Sequence, residues 1–414
     1  MTVFRSLAVL FASSAVFASS ARASGYEFEG VGARQVSRAG AATAAAEDWT
    51  AIYWNPAGLS HAARQAGIEL FGGWAFGRDS NSLSAFASKG LFYGKDKTQS
   101  SFVFGAAGAA IPLGERVALG VGVYTPLLNG FNFADTSANG VPTSYKGAAA
   151  ILASNVSLGV SVTPELSVGA GFNLLYGRVE TTSRLENYPV IAGVAYTDMD
   201  GWMVGDGFGY EGVVGAQWKA HPRLSLAAVY RTGADVRIRG DARATSQSAL
   251  LGRSEESSRF RYSLNQPPTA DLGAAWKASE GLTLTCDLHQ TFWHRFTNEM
   301  RFDQPGALLP DMPDTFRWRD TWKLRFGSAW KVAEKTELLG GYSFDPYSVD
   351  NASVDMATTV DVTMHRFSAG VAQQWGKGFE SALGVIGGYG YRKEGALRYG
   401  LSGVQLMAET SWRF

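Results

Sequence analysis

Residues 404–414 carry two interleaved series of side chains. Val404, Leu406, Ala408, Thr410, Trp412 and Phe414 fall on one parity, and Gln405, Met407, Glu409, Ser411 and Arg413 on the other. Successive residues of a strand point to opposite faces, so this segment has one apolar side and one mostly polar side. The period of two returns where Leu282, Leu284, Cys286 and Leu288 oppose Thr283, Thr285, Asp287 and His289. It returns again where Trp322, Leu324, Phe326 and Trp330 oppose Arg319, Thr321, Lys323 and Arg325. A soluble sandwich also alternates. Here, however, large apolar groups face one way and several charges the other, over segments of about ten residues or more, which is the pattern of a barrel with lipid outside and water inside.

The expected fold is therefore all-β, a transmembrane antiparallel β-barrel of about fourteen strands, the even number that bacterial barrels show. Strand starts read near Gly67, Ser101, Arg116, Ile151, Glu165, Gly207, Arg223, Ser257, Gly281, Arg317, Lys335, Thr363, Gly378 and Ser402. Tight turns at Leu113-Gly114-Glu115, Thr163-Pro164-Glu165, Ala220-His221-Pro222, Ser279-Glu280-Gly281 and Gly376-Lys377-Gly378 alternate with long polar connections at 129–147, 181–206 and 240–257. Short periplasmic turns and long extracellular loops follow the barrel rule and put both chain ends in the periplasm.

The rest of the composition agrees. Lys+Arg and Asp+Glu both number 37, so nothing favours nucleic acid as a partner. Gly (49 residues) and aromatics (13%) suit crowded strands and interfacial girdles. Arg5, the apolar run 7–17 and Ala21-Arg22-Ala23 read as a signal peptide over 1–23, with a mature start at Ser24. Cys286 is the single cysteine, so an exported chain must be held by its closed sheet rather than by an internal disulfide.

Residues 24–66 do not alternate. An Ala-rich run at 39–46, expected to favour helix, precedes Glu47-Asp48 and then Trp49-Thr50-Ala51-Ile52-Tyr53-Trp54-Asn55-Pro56-Ala57-Gly58-Leu59. So many apolar groups argue for an ordered, partly helical module before a barrel at 67–414, rather than a solvated tail. In this order, Ser37-Arg38-Ala39-Gly40-Ala41-Ala42, Glu47-Asp48 and Tyr53-Trp54-Asn55-Pro56-Ala57-Gly58-Leu59 resemble the N-terminus of the FadL/TodX family. Gly171-Phe172-Asn173-Leu174-Leu175-Tyr176-Gly177-Arg178, Gly207-Phe208-Gly209-Tyr210 and Tyr230-Arg231-Thr232 resemble its fifth to seventh strands. The resemblance implies a fourteen-stranded barrel plugged by an N-terminal hatch. It also implies passive passage of long-chain fatty acids, or of aromatic hydrocarbons, by capture, hatch movement and lateral release.

Several residues follow as candidates. Leu127, Leu128, Phe131 and Phe133 offer a capture surface in an extracellular loop; packing against the barrel is the competing reading. Gly120, Gly122 and Pro126 fit a kinked third strand and a lateral gate, since Pro cannot donate to a ladder and Gly weakens it; the competing reading is that Pro126 ends the strand. By resemblance, the hatch residues Asn55, Pro56 and Ala57 lie beneath the ligand. Arg317, Arg319, Lys323 and Arg325 share the lumen parity, and Arg319 aligns with a basic position of the family's internal site. Arg178 is a second candidate by resemblance, although its parity is that of lipid-facing Phe172, Leu174 and Tyr176. A lumen salt-bridge network with Glu409 and Asp287 competes for the arginines.

The implied partners are hydrophobic small molecules, outer-membrane lipid and lipopolysaccharide, and the barrel-insertion machinery that reads a terminal Phe such as Phe414. An enzyme is not expected: His61, His221, His289, His294 and His365 fall in no metal or nucleophile motif. No cofactor is called for, and Asp198-x-Asp200-Gly201 lacks the remaining calcium ligands. A general diffusion porin is the other alternative, but it would begin directly with a strand.

Overall fold

The computed structural model describes residues 29–80, 97–138, 141–191, 195–250, 252–297, 299–312, 317–349, 361–394 and 397–414. The expected signal segment and the start at Ser24 lie outside them. Seventeen strand segments form one sheet that closes on itself, because β1 (Gln65–Ser80) pairs antiparallel with both β2 (Lys97–Pro112) and β17 (Leu397–Arg413). Between them run β3 (Val117–Ala138), β4 (Val141–Ser161), β5 (Leu166–Ile191), β6 (Ala195–His221), β7 (Leu224–Arg231), β8 (Ala234–Ser248), β9 (Gly252–Gln266) and β10 (Thr269–Ser279). They are followed by β11 (Leu282–Thr291), β12 (Met300–Phe302), β13 (Thr321–Ala333), β14 (Thr336–Asp345), β15 (Thr363–Gly376) and β16 (Phe379–Glu394). Three staves are broken in two: β7 with β8 at Thr232-Gly233, β9 with β10 at Pro267-Pro268, and β11 with β12. Counted as staves, the barrel has fourteen strands.

The parity of the sequence sets the two faces. Leu70, Val103, Phe172, Tyr210, Trp322, Phe326, Trp330, Leu406 and Trp412 are exposed on the outside, where lipid covers them. Met407, Asp287, His289, Lys323 and Arg325 are buried inside, and Glu409 is half-buried there. The expected tight turns lie together at one end, and at the last of them three successive residues, Gly376, Lys377 and Gly378, have positive φ of 96°, 51° and 80°. Glycine meets that demand at two of the three positions without a Cβ penalty.

The long connections are a correction. Residues 129–138 and 141–147 pair as extensions of β3 and β4, and much of 181–206 pairs as β5 against β6. Alternation of apolar groups stops where strands leave the bilayer, but the backbone ladder continues into water. Hence β4 starts at Val141 rather than Ile151, and β6 at Ala195 rather than Gly207.

Inside the barrel sits the module that precedes β1. It contains α1 (Ala33–Val36), α2 (Ala51–Trp54) and a 3-10 helix at Pro56–His61. The Ala-rich run 39–46 is not helical, contrary to its propensity. Three of its amides are bound by the barrel instead: Ala39 N donates to Ser368 Oγ (2.9 Å), and Ala42 N and Thr43 N donate to Asp287 Oδ2 (2.9 Å each).

Candidate ligand-binding site

The hatch is seated by close approach and by polar bonds. Asn55 opens the 3-10 helix, its Oδ1 accepting from Ala57 N (3.0 Å) while its Nδ2 donates to Thr43 O (3.0 Å) and Ala216 O (3.3 Å). Gly159, Gly169 and Gly215 line this corner, and a Cβ on any of them would strike Pro56 or Asn55. Gly67 admits Trp49 in the same way, and Trp49 Nε1 donates to Glu409 Oε1 (2.9 Å). Arg34 pairs with Glu337 and, at 3.0 Å, with Glu380.

Above this seat lies a cavity of about 110 Å³. Its floor is Tyr53 and Trp54, the two residues before the Asn-Pro-Ala corner, and its walls include Tyr124, Pro126, Ile151, Leu264 and Trp293. Tyr53 stands edge-on to Trp54 and to Tyr124, with centroids 4.9 and 5.3 Å apart. Burial pushes the Tyr53 hydroxyl above its ordinary pKa, so the ring stays neutral.

The charged wall is organised into pairs. Arg231 bonds Glu211 (3.4 Å) and Tyr53 O, with its guanidinium 4.9 Å from the Tyr53 ring centre. Glu211 closes a chain across three strands: Ser157 Oγ donates to Asn155, Asn155 Nδ2 to Asn173, and Asn173 Nδ2 to Glu211, at 2.8, 2.7 and 2.7 Å. On the facing staves, Asp271 bonds His289 Nδ1 (2.6 Å) and Arg325 (3.6 Å), and His289 Nε2 meets Thr291 Oγ1 (3.1 Å). These contacts fix the imidazole ring in the wall. Arg325 also lies 5.8 Å from the Trp54 ring centre.

Of the expected site residues, the structure brings some to the cavity and not others. Asn55, Pro56 and Ala57 lie in the seat beneath it. Pro126 lines it. The β2–β3 ladder is regular from Pro112↔Ala118 to Ala107↔Val123, then skips to Gln99↔Asn132, and the β3–β4 register shifts between Tyr124 and Leu127. The wall is thus interrupted beside Pro126, and Pro126 does not end its strand. Gly120 and Gly122 sit in the intact ladder, where a Cβ would strike Ile52 of the hatch; they make room for the plug rather than a kink.

The two candidate arginines are corrected. Arg319 precedes β13, is exposed, stacks 3.9 Å from the Tyr347 ring centre and bonds Tyr347 O at 3.0 Å; it does not line the cavity. Position 319 lies before the first strand residue, Thr321, so strand parity does not direct its side chain. Arg178 is exposed on the outer face and pairs with Glu180 at 3.2 Å, as its parity required. Arg317 is exposed as well. Lys323 and Arg325 do face inward, where they pair with Asp345 (3.2 Å) and Asp271. Leu127, Leu128, Phe131 and Phe133 belong to β3 rather than to a loop, and their side chains lie outside the described residues.

Sequence reasoning missed Tyr53, Trp54, Tyr124, Glu211, Asp271, His289, Thr291 and Trp293 as cavity residues. Parity could have supplied Asp271 and His289, which face each other across β10 and β11.

A closed fourteen-stranded barrel that encloses its own N-terminal segment and holds a small cavity above it defines a protein of the outer-membrane β-barrel class. Residues 14–377 match the family described as outer membrane protein transport protein (OMPP1/FadL/TodX), and the chain belongs to that family, whose members are outer-membrane proteins that transport hydrophobic compounds. A putative outer membrane protein of Neisseria meningitidis is 24% identical over 413 residues, covering 89% of this chain and 86% of the relative. Among solved structures, a Pseudomonas aeruginosa FadL homologue is similar with a TM-score of 0.78 at 16% identity, over 94% of this chain and 100% of the other. The toluene transporter TodX of P. putida is similar with a TM-score of 0.74 at 18% identity, over 93% and 99%. These likenesses concern the fold.

Proposed function

We propose that this protein, exported by its signal segment, passes compact hydrophobic molecules through the outer membrane without an energy source. Ligand enters from the lipopolysaccharide side, occupies the cavity above Tyr53 and Trp54, displaces the hatch, and leaves sideways into lipid beside Pro126. The observation that carries this reading is that one cavity touches both the hatch and the interrupted β2–β3 ladder. At about 110 Å³ it is nearer to a cavity of ~150 Å³ that takes a benzene ring than to a drug-sized pocket of ~300–1,000 Å³. That favours one-ring compounds, and the aromatic floor supplies matching surface.

Leu264→Trp should fill the cavity. In cells lacking other hydrophobic channels, uptake of labelled toluene should fall to the level of the empty vector. Undiminished uptake by a correctly folded variant would take the cavity off the path.

Long-chain fatty acids are the second reading, favoured by Arg231 and Arg325 in the wall. It requires Arg231→Ala to lower oleate uptake more than toluene uptake.

A further inference from the structure

Three polar atoms in the cavity wall have no hydrogen-bond partner although they are buried: Asn265 Oδ1, Thr269 Oγ1 and Trp293 Nε1. They come from one place in the fold. Asn265 is the next-to-last residue of β9, Thr269 opens β10, and Trp293 follows β11, so all three flank the break at Pro267-Pro268. Pro has no N–H to continue the ladder, and Phe292 N donates instead to Pro268 O (3.0 Å), drawing the Trp293 segment against the break. Trp293 is held there, 1% exposed, by stacking on Trp318 with centroids 4.9 Å apart.

A buried polar atom left unpaired costs on the order of 1–3 kcal/mol, and native proteins pair nearly all of theirs. The chemistry of the three atoms states what would satisfy them. The indole N–H only donates, the amide oxygen only accepts, and the Thr hydroxyl does both. A hydrocarbon meets none of them. A carboxylate can accept from Trp293 but has nothing to give Asn265. It would also come to rest beside Glu211 and Asp271, whose counter-cations Arg231 and Arg325 are already engaged with them. A hydroxyl donates to one atom while accepting from another, and it carries no charge.

Resting on the reading of this cavity as the transport site, we propose that its preferred ligand is a neutral, hydroxyl-bearing one-ring compound of the phenol class, recognised by Asn265, Thr269 and Trp293. The ring lies against Tyr53, Trp54 and Tyr124, and the hydroxyl reaches the break between β9 and β10.

The test compares p-cresol with p-xylene, which replaces the hydroxyl by a methyl group, and with p-toluate, which replaces it by a carboxylate. Affinities for the full chain in detergent are read by calorimetry. In Trp293→Phe, and separately in the isosteric Thr269→Val, the ratio of cresol to xylene affinity should fall about tenfold, the size of one net hydrogen bond. Heat-modifiable gel mobility establishes that each variant is folded, and Thr269→Val keeps the comparison available if Trp293→Phe is not. An unchanged ratio in the folded variants would mean that water satisfies these atoms and would overturn the proposal while leaving the transport reading intact. Tightest binding by p-toluate would overturn it in favour of an acid. Binding of none of the three would overturn both readings.

Discussion

The hatch seat and the cavity above it share several strands but are built differently. In the seat, glycines let backbone touch backbone, and hatch and wall bond each other directly: Asp287 Oδ2 takes three donors, Ala42 N, Thr43 N and Thr43 Oγ1 at 2.6 Å, although Asp287 Oδ1, Ser37 Oγ and Arg38 Nε stay without a partner among the described residues. In the cavity wall the staves break, prolines interrupt the ladder, and Asn265, Thr269 and Trp293 present polar atoms that the protein leaves unmatched. The seat is complementary to a piece of this chain. On the proposed reading, the cavity is complementary to a ligand. On that reading, function sits where the regular pairing that stabilises a barrel has been given up.

That contrast can be broken most severely at Gly169. A side chain there would drive into the backbone at Pro56 and Ala57, and neither is the end of a flexible group. Gly169→Val should cost more than ~3 kcal/mol of hatch docking, because the plug has nowhere to shift inside a closed wall. Planar-bilayer recordings should change from a closed to an ion-conducting barrel. A variant that stays closed would show that the seat is not what holds the plug.

A smaller disturbance turns the seat into something like the cavity. Asp287→Ala removes the acceptor from three buried donors of the hatch and should weaken its docking by about 2–3 kcal/mol, with water rescuing part of the loss. Limited proteolysis of the hatch in intact outer membranes measures this. Cleavage no faster than in the native protein would mean that the glycine contacts suffice without the carboxylate.

The two regions were also unequally legible in the sequence. Alternation announces the wall: Leu406 and Trp412 outside, Glu409 inside, from parity alone. It announced Lys323 and Arg325 for the same reason, and failed for Arg319, which stands before the first paired residue of β13. The seat was half legible. The Asn55-Pro56-Ala57 corner stands out as a turn, but the Ala39–Ala46 run misleads, since its helix propensity yields to acceptors on Asp287 and Ser368 that are some two to three hundred residues away in the chain. The cavity was least legible. Arg231 and Trp293 become neighbours of Tyr53 only through register across several staves, and a single sequence does not state register.

The same carboxylate device recurs at the far rim, and there pH can probe it. Asp361, just before β15, accepts from Ser348 N (2.5 Å), Ser348 Oγ (3.1 Å) and Val349 N (2.7 Å), beside Arg392, which donates to Asp361 O (3.0 Å) and Val349 O (3.1 Å). Burial raises the Asp361 carboxyl to about 7, well above its ordinary value near ~4. The folded rim therefore holds this proton more tightly than the unfolded chain does. The extra stability is fully present below ~4 and is lost as pH rises through about 7. Amide protection factors at Ser348 and Val349 should accordingly drop at least about tenfold between pH 5 and pH 8, the size of one pKa unit or more of linkage. In Asp361→Asn, which keeps an acceptor oxygen but cannot titrate, they should be level across that range. Equal slopes in both proteins would mean that Asp361 stays ionised in place. The rim carboxylate would then match the seat's Asp287 only in the amides it collects, and not as a group whose protonation governs them.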